Sequence, residues 1–211
     1  MSEPRIAARA KRRSIREEFT NLPNLLTFGR IVLIVPVITL MLFDSPGSSF
    51  WAALLFGIAA ATDWLDGHLA RKRGLESLLG KLLDPLADKL IVMATLVVAA
   101  ELHRIPGWFV VLLLSRELAI SGLRAIASEG GLEIRVVSAG KWKTALQLCG
   151  LTGVLIQYRY VIDFGLATSV VDFGAMGFAV LALSMVFSLA SAATYFGRFV
   201  GAIAAQKTDG L

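Results

Sequence analysis

Four aspartates stand in the largely apolar stretch 63–88, D-W-L-D-G-H-L-A-R-K-R-G-L-E-S-L-L-G-K-L-L-D-P-L-A-D, where ionisable groups are costly and tend to serve a function. At 100° per residue Asp63, Asp66, Gly67 and Ala70 fall on one helix face, and Gly80, Asp84 and Asp88 form a second stripe four residues apart. If the two segments fold back on each other near Leu75, Asp63 comes level with Asp88 and Asp66 nearly level with Asp84. Like charges gathered in a low dielectric must take up protons or find a counter-charge, and one or two divalent cations with oxygen ligands are the compact solution. Such paired ions suit phosphoryl transfer, because they stabilise the attacking and leaving oxygens. Gly67 and Gly80 leave room for a phosphate or nucleotide, and Arg71, one turn after Gly67, offers a planar fork of donors. The same carboxylates without metal would read as a proton or cation relay in a carrier.

Six apolar segments can position these residues. The chain has 211 residues, of which 56% are hydrophobic, and a mean hydropathy of +0.69, too apolar for an ordinary soluble domain. Helical spans are expected near 21–43, 50–71, 78–100, 106–127, 141–158 and 172–196, each long enough to cross about 30 Å of hydrocarbon. The expected fold is therefore an all-α integral membrane protein. It comprises a basic cytoplasmic segment at 1–20, a six-helix membrane domain at 21–200 and a cytoplasmic tail at 201–211. Residues 5–16 carry six basic side chains and no acid, either a solvated tail or a short helix lying on anionic headgroups. The run at 25–43 is longer than a signal core and has no small-residue cleavage site after it. Pro85 favours a kink beside Asp84. The lone Cys149 allows no intrachain disulfide and reads as a small core residue.

The net charge of +5 is unevenly distributed. With the N-terminus inside, the N-terminal cluster, Arg71, Lys72, Arg73, Lys81, Arg135, Lys141, Lys143, Arg198 and Lys207 fall on the cytoplasmic side, against Arg104 and Arg159 outside. That bias obeys the positive-inside rule and places the carboxylates toward the cytoplasm, in reach of soluble substrates. A cell (inner) membrane location is expected, with no nucleic-acid partner.

The stretch 63–88 fits D-x-x-D-G-x-x-A-R-x8-G-x3-D-x3-D at every fixed position, and so resembles the CDP-alcohol phosphatidyltransferases, as do the chain length and the six-helix plan. The resemblance implies transfer of a phosphatidyl group from a CDP-linked donor to an alcohol, with release of CMP. It implies that Asp63, Asp66 and Asp84 hold two ions, Mg2+ or Mn2+. Asp88 would join them and act as base on the acceptor hydroxyl. Gly67, Arg71 and Ser77 would contact the CDP-lipid, with Asn24 and Thr27 closing over it from the first helix. It also suggests a homodimer. Physically, Asn24, Thr27 and Arg30 recur every three residues on one side of that helix, which suits hydrogen bonding inside the bundle.

The acceptor is read from the second half of the chain. S-R-E-L-A-I-S-G-L-R at 115–124 and G-K-W-K-T at 140–144 resemble the branch of the family that makes phosphatidylglycerol phosphate. Arg116, Arg124, Lys141 and Lys143 could gather as a phosphate pocket beside the carboxylates. CDP-diacylglycerol and sn-glycerol 3-phosphate are then the expected substrates, with membrane lipid around the protein. Inositol phosphate is the alternative acceptor, a non-enzymatic ion or proton carrier the alternative class, and a structural Arg116–Glu117 pair the alternative to a phosphate role for Arg116.

Overall fold

A computed structural model describes residues 22–73, 78–130, 139–163, 165 and 168–208. Six helices lie among them: α1 (Leu22–Leu42), α2 (Pro46–Arg73), α3 (Leu78–Glu101), α4 (Gly107–Glu129), α5 (Ala139–Ile156) and α6 (Phe173–Thr208). They match the six expected segments, each a long apolar run bounded by polar, Gly- or Pro-containing turns. The segment 1–20 and residues 209–211 of the tail lie outside the described residues. Part of the tail expected at 201–211 is helical, since α6 continues to Thr208 with no proline to stop it.

The expectation of helices alone needs one correction. Strands β1 (Arg159–Asp163) and β2 (Thr168–Asp172) form an antiparallel hairpin between α5 and α6, in the register Arg159↔Asp172 through Asp163↔Thr168. The run R-Y-V-I-D is rich in residues that favour strands. At the tip the Gly165 N–H donates to Asp163 Oδ1 at 2.8 Å, with Gly165 at a φ of +79° that its missing Cβ allows. At the base Asp172 accepts the Ala175 N–H at 2.9 Å and Arg159 Nε at 2.8 Å, so it caps α6. These bonds hold its carboxyl below the usual aspartate range, the Ala175 amide contributing most.

Three turns meet at one end of the bundle. Arg104, just after α3, donates to Asp44 Oδ1 at 2.7 Å, to Ser49 Oγ at 3.1 Å and to the Leu155 carbonyl at 3.0 Å, while the Tyr158 hydroxyl donates to the Asp44 carbonyl at 2.6 Å. The ends of α1, α3 and α5 are thus tied together, so successive helices alternate in direction and the ends at Arg73, Leu78, Glu129 and Ala139 lie at the far end. The core at the tied end contains Val37, Met41, Phe56, Leu96, Phe109, Leu151, Leu155 and Leu181, all buried. α1 packs against both α2 and α3, the helices that carry the aspartates, and α5 packs most closely against α6.

Candidate functional site

Asp63, Asp66, Gly67 and Arg71 lie on α2 and Asp84 and Asp88 on α3, so both carboxylate stripes are helical as expected. The side chains of these residues lie outside the described ones, as do that of Asn24 on α1, that of Lys141 on α5, and Ser77 altogether. The helical spacing puts Asp63 and Asp66 on one face of α2 and Asp84 and Asp88 on one face of α3. The 73–78 connection is short enough to make the two helices sequential neighbours of opposite direction. The donor set is carboxylate oxygen throughout, which fits hard divalent cations and not thiophilic ones. Among the described residues, which exclude these side chains, there is no cluster of metal-ligating side chains.

On α1, Thr27 is 2% exposed and Arg30 is 3% exposed. Their three-residue spacing therefore marks an inward face, continuous with α2 and α3, against which α1 packs. A cation and a hydroxyl on that face stand in the same bundle as the carboxylates.

The basic residues of α4 and α5 are brought together only in part. Arg116 and Lys143 converge on Glu117: Arg116 Nη1 lies 3.2 Å from Glu117 Oε2, and Lys143 Nζ donates to the same oxygen. Arg116 also spends its Nε on the Ser188 carbonyl of α6 at 2.9 Å. The structural pairing weighed for Arg116 and Glu117 is thus present, while Lys143 and Glu117 both line a cavity between α3, α4 and α5. Arg124 points elsewhere, with its guanidinium 5.7 Å from the centroid of the Tyr195 ring on α6, a cation–π contact.

Two residues of this cavity carry chemistry that sequence reasoning passed over. Lys89 lines it and donates to Ser121 Oγ at 2.6 Å, and Ser121 in turn donates to the Glu117 carbonyl at 2.8 Å. Glu117 was seen in sequence only as a partner for Arg116, whereas it is the anion around which two cations are arranged. The one available signal was its position at the centre of the motif at 115–124, within an otherwise apolar helix. The cavity is walled by Val92, Met93, Leu113, Leu114 and Leu148, with Thr144 and Gln147 adding polar groups. It can therefore accept a small anion whose charge meets lysine and whose hydroxyls meet a carboxylate, a threonine and an amide.

Comparison with known proteins sharpens this chemistry. Residues 20–190 match the family described as CDP-alcohol phosphatidyltransferase. The chain is 39% identical over 149 residues to a Bacillus subtilis protein named CDP-diacylglycerol–glycerol-3-phosphate 3-phosphatidyltransferase, covering 65% of this chain and 77% of that one. It is 39% identical over 148 residues to a Haemophilus influenzae protein of the same name, covering 68% and 80%. An Escherichia coli K12 protein, again so named, is 35% identical over 150 residues, covering 68% and 81%.

Proposed function

The chain belongs to the CDP-alcohol phosphatidyltransferase family, and from that membership we infer that it transfers the phosphatidyl group of CDP-diacylglycerol to sn-glycerol 3-phosphate, giving phosphatidylglycerol phosphate and CMP. The observation that carries the acceptor is the identity of 35–39% to relatives named for this transfer, in three bacteria. The geometry agrees with it. A phosphorylated polyol needs cations for its phosphate and polar groups for its hydroxyls, and the cavity between α3, α4 and α5 offers lysines beside Glu117, Thr144 and Gln147.

In this mechanism a hydroxyl oxygen of the acceptor attacks the phosphorus that bears diacylglycerol. The new P–O bond forms as the bond to the CMP phosphate breaks, and CMP leaves with that electron pair. Asp88 takes the hydroxyl proton, in keeping with a carboxylate base held within hydrogen-bond reach of it. Asp63, Asp66 and Asp84, joined by Asp88, would hold two divalent ions, Mg2+ or Mn2+. Bound there, such ions would supply charge neutralisation to the diphosphate. Gly67 leaves room for the diphosphate, Arg71 and Ser77 bind it, and Asn24 and Thr27 approach it from α1. Lys143 and Arg116, steadied by Glu117, hold the acceptor's phosphate, with Lys141 and Arg124 adding to the field from the same helices.

We place all six helices across a membrane, with the carboxylates toward the cytoplasm and the chain paired as a homodimer. Among the described residues one helix, over Phe173–Ala204, is long and apolar enough to cross by that measure alone, and Thr27–Leu42 and Pro46–Thr62 are shorter apolar stretches. Wider support comes from the outward faces. Val32, Val111, Leu118 and Val186, on three different helices, are 67%, 65%, 61% and 63% exposed, a surface that belongs in lipid rather than water.

The decisive measurement incubates purified protein and CDP-diacylglycerol with labelled sn-glycerol 3-phosphate, inositol phosphate or serine, with Mg2+, with Mn2+ or with a chelator. Phosphatidylglycerol phosphate and CMP are expected from the first acceptor alone, with turnover abolished by chelation and restored by either metal. A lipid product from inositol phosphate and none from glycerol phosphate would overturn the acceptor, and turnover that survives chelation would overturn the metal site.

A further inference from the structure

We infer that Lys89 is a ligand of the acceptor's phosphate and a determinant of acceptor affinity, placed by the fold between the base on α3 and the cations of α4 and α5. The inference rests on the transfer proposed above.

Lys89 directly follows Asp88 on α3, so the two Cα atoms are about 3.8 Å apart. One residue along a helix turns the side chain by about 100°, so the aspartate stripe and Lys89 occupy adjacent faces. The Lys89 face looks to α4, because its ammonium donates to Ser121 Oγ at 2.6 Å. Lys89 also lines the same cavity as Glu117 and Lys143. An acceptor phosphate held at Lys143 would therefore lie in the cavity that Lys89 also lines.

The charge arrangement indicates what Lys89 awaits. Lys143 and Arg116 share the carboxylate of Glu117, which offsets part of their charge. Lys89 differs. Among the described residues its hydrogen-bond partner is the neutral hydroxyl of Ser121, in a half-buried position walled by Val92, Met93 and Leu113. An ammonium whose hydrogen bond goes to a neutral hydroxyl keeps donors for an incoming phosphate. Among the described residues Lys89, Lys143 and Arg116 stand around the one carboxylate of Glu117, a balance suited to a phosphate monoester dianion. Lysine fits the role, since its ammonium has three donors and the hydroxyl of Ser121 occupies one.

The competing explanation makes Lys89 a purely structural tie between α3 and α4. Initial rates of CMP release by the purified full-length protein, with Mg2+ and CDP-diacylglycerol in detergent micelles, separate the two. Lys89→Gln should raise the KM for sn-glycerol 3-phosphate about tenfold or more and leave the KM for CDP-diacylglycerol within about twofold. Lys89→Arg should recover most of the loss. Ser121→Ala cuts the tie but keeps the cation, and should leave the acceptor KM near that of the unaltered protein. An unchanged acceptor KM in Lys89→Gln, equal effects on both substrates, or a Ser121→Ala variant that copies Lys89→Gln would each overturn the assignment. Lys89→Met provides a second neutral side chain, and loss of folding in both neutral variants would make Lys89 a structural tie. Failure of the unaltered protein to release CMP with sn-glycerol 3-phosphate would instead overturn the reaction, and this inference with it.

Discussion

Glu117 governs how much positive charge α4 and α5 can offer a ligand. Its carboxylate accepts from both Arg116 and Lys143, which holds two cations about one anion, with Lys143 and Glu117 lining a largely apolar cavity. Without it the two would repel each other and turn toward water, and the pocket would lose its shape before it gained charge. Asp88 has the opposite problem in the proposed mechanism, where it would give up its share of negative charge to a proton at the moment of attack. Asp88→Asn keeps the size of the side chain and removes its basicity. Turnover should therefore fall by about a hundredfold or more, with CDP-diacylglycerol binding retained. Binding measured by protection against thermal aggregation, alongside CMP release, checks this, and near-normal turnover would remove Asp88 from the mechanism. The motif at 63–88 made the helical placement of the aspartates legible in sequence, because their three- and four-residue spacing is that of a helix face. The cavity positions of Lys89 and Glu117 were not legible in sequence, since a charged residue does not announce its partner. Only the packing of α3 against α4 and α5 shows that Lys89 faces Ser121 and that Glu117 lies under Lys143.

The pair α5 and α6 shows how two apolar helices come into close contact through small residues. Gly150 and Gly153 of α5 meet α6 backbone to backbone at Gly177: a Cβ on Gly153 would lie 2.7 Å from the Gly177 Cα, and one on Gly150 would lie 2.6 Å from the Leu181 nitrogen. Close approach maximises dispersion contact, and it requires the absence of side chains at these places. Gly177→Leu must push the helices apart, and should lower stability by about 3 kcal/mol. By contrast, a Cβ on Gly197, farther along α6, would meet nothing within 4 Å. Gly197→Ala should be neutral or stabilising by up to about 1 kcal/mol, since alanine costs the unfolded chain less freedom than glycine. Thermal loss of the monodisperse species in detergent reads both variants, and equal losses would show that the glycine contact is not what joins α5 to α6. The six helices were legible from apolar length alone, but this interface was not, because small residues in a span say that a neighbour can come close without saying which. The hairpin was missed for a different reason. Its strands are five residues each, shorter than any helix signal, and they stand where a simple turn would serve.

Alternation of helix direction gives the bundle two chemically distinct ends. One gathers the turns at 43–45, 102–106 and 157–158 under Arg104, with the hairpin beside them, and its ion pairs, Arg104–Asp44 and Arg159–Asp172, are neutral overall. The other receives the ends of α2 and α4 and the starts of α3 and α5, where Arg71, Lys72, Arg73, Lys81 and Lys141 concentrate positive charge. Positively charged turns tend to stay on the cytoplasmic side, so in the orientation proposed above the neutral end would face out and the CDP-lipid and acceptor sites would face in. This arrangement suits the reaction, because a CDP-linked donor and a phosphorylated acceptor are both too polar to cross the bilayer unaided. Cys149 is the one cysteine, and Cys149→Ser supplies a background without thiols. Into it Val161→Cys places a thiol on the hairpin, at a position 72% exposed, and Glu129→Cys places one at the exposed end of α4. In spheroplasts a membrane-impermeant maleimide should label the Val161→Cys protein at once and the Glu129→Cys protein only after permeabilisation. The reverse pattern would invert the topology and put the carboxylates outside. Labelling of both from the same face would break the alternation of helix direction on which the orientation depends.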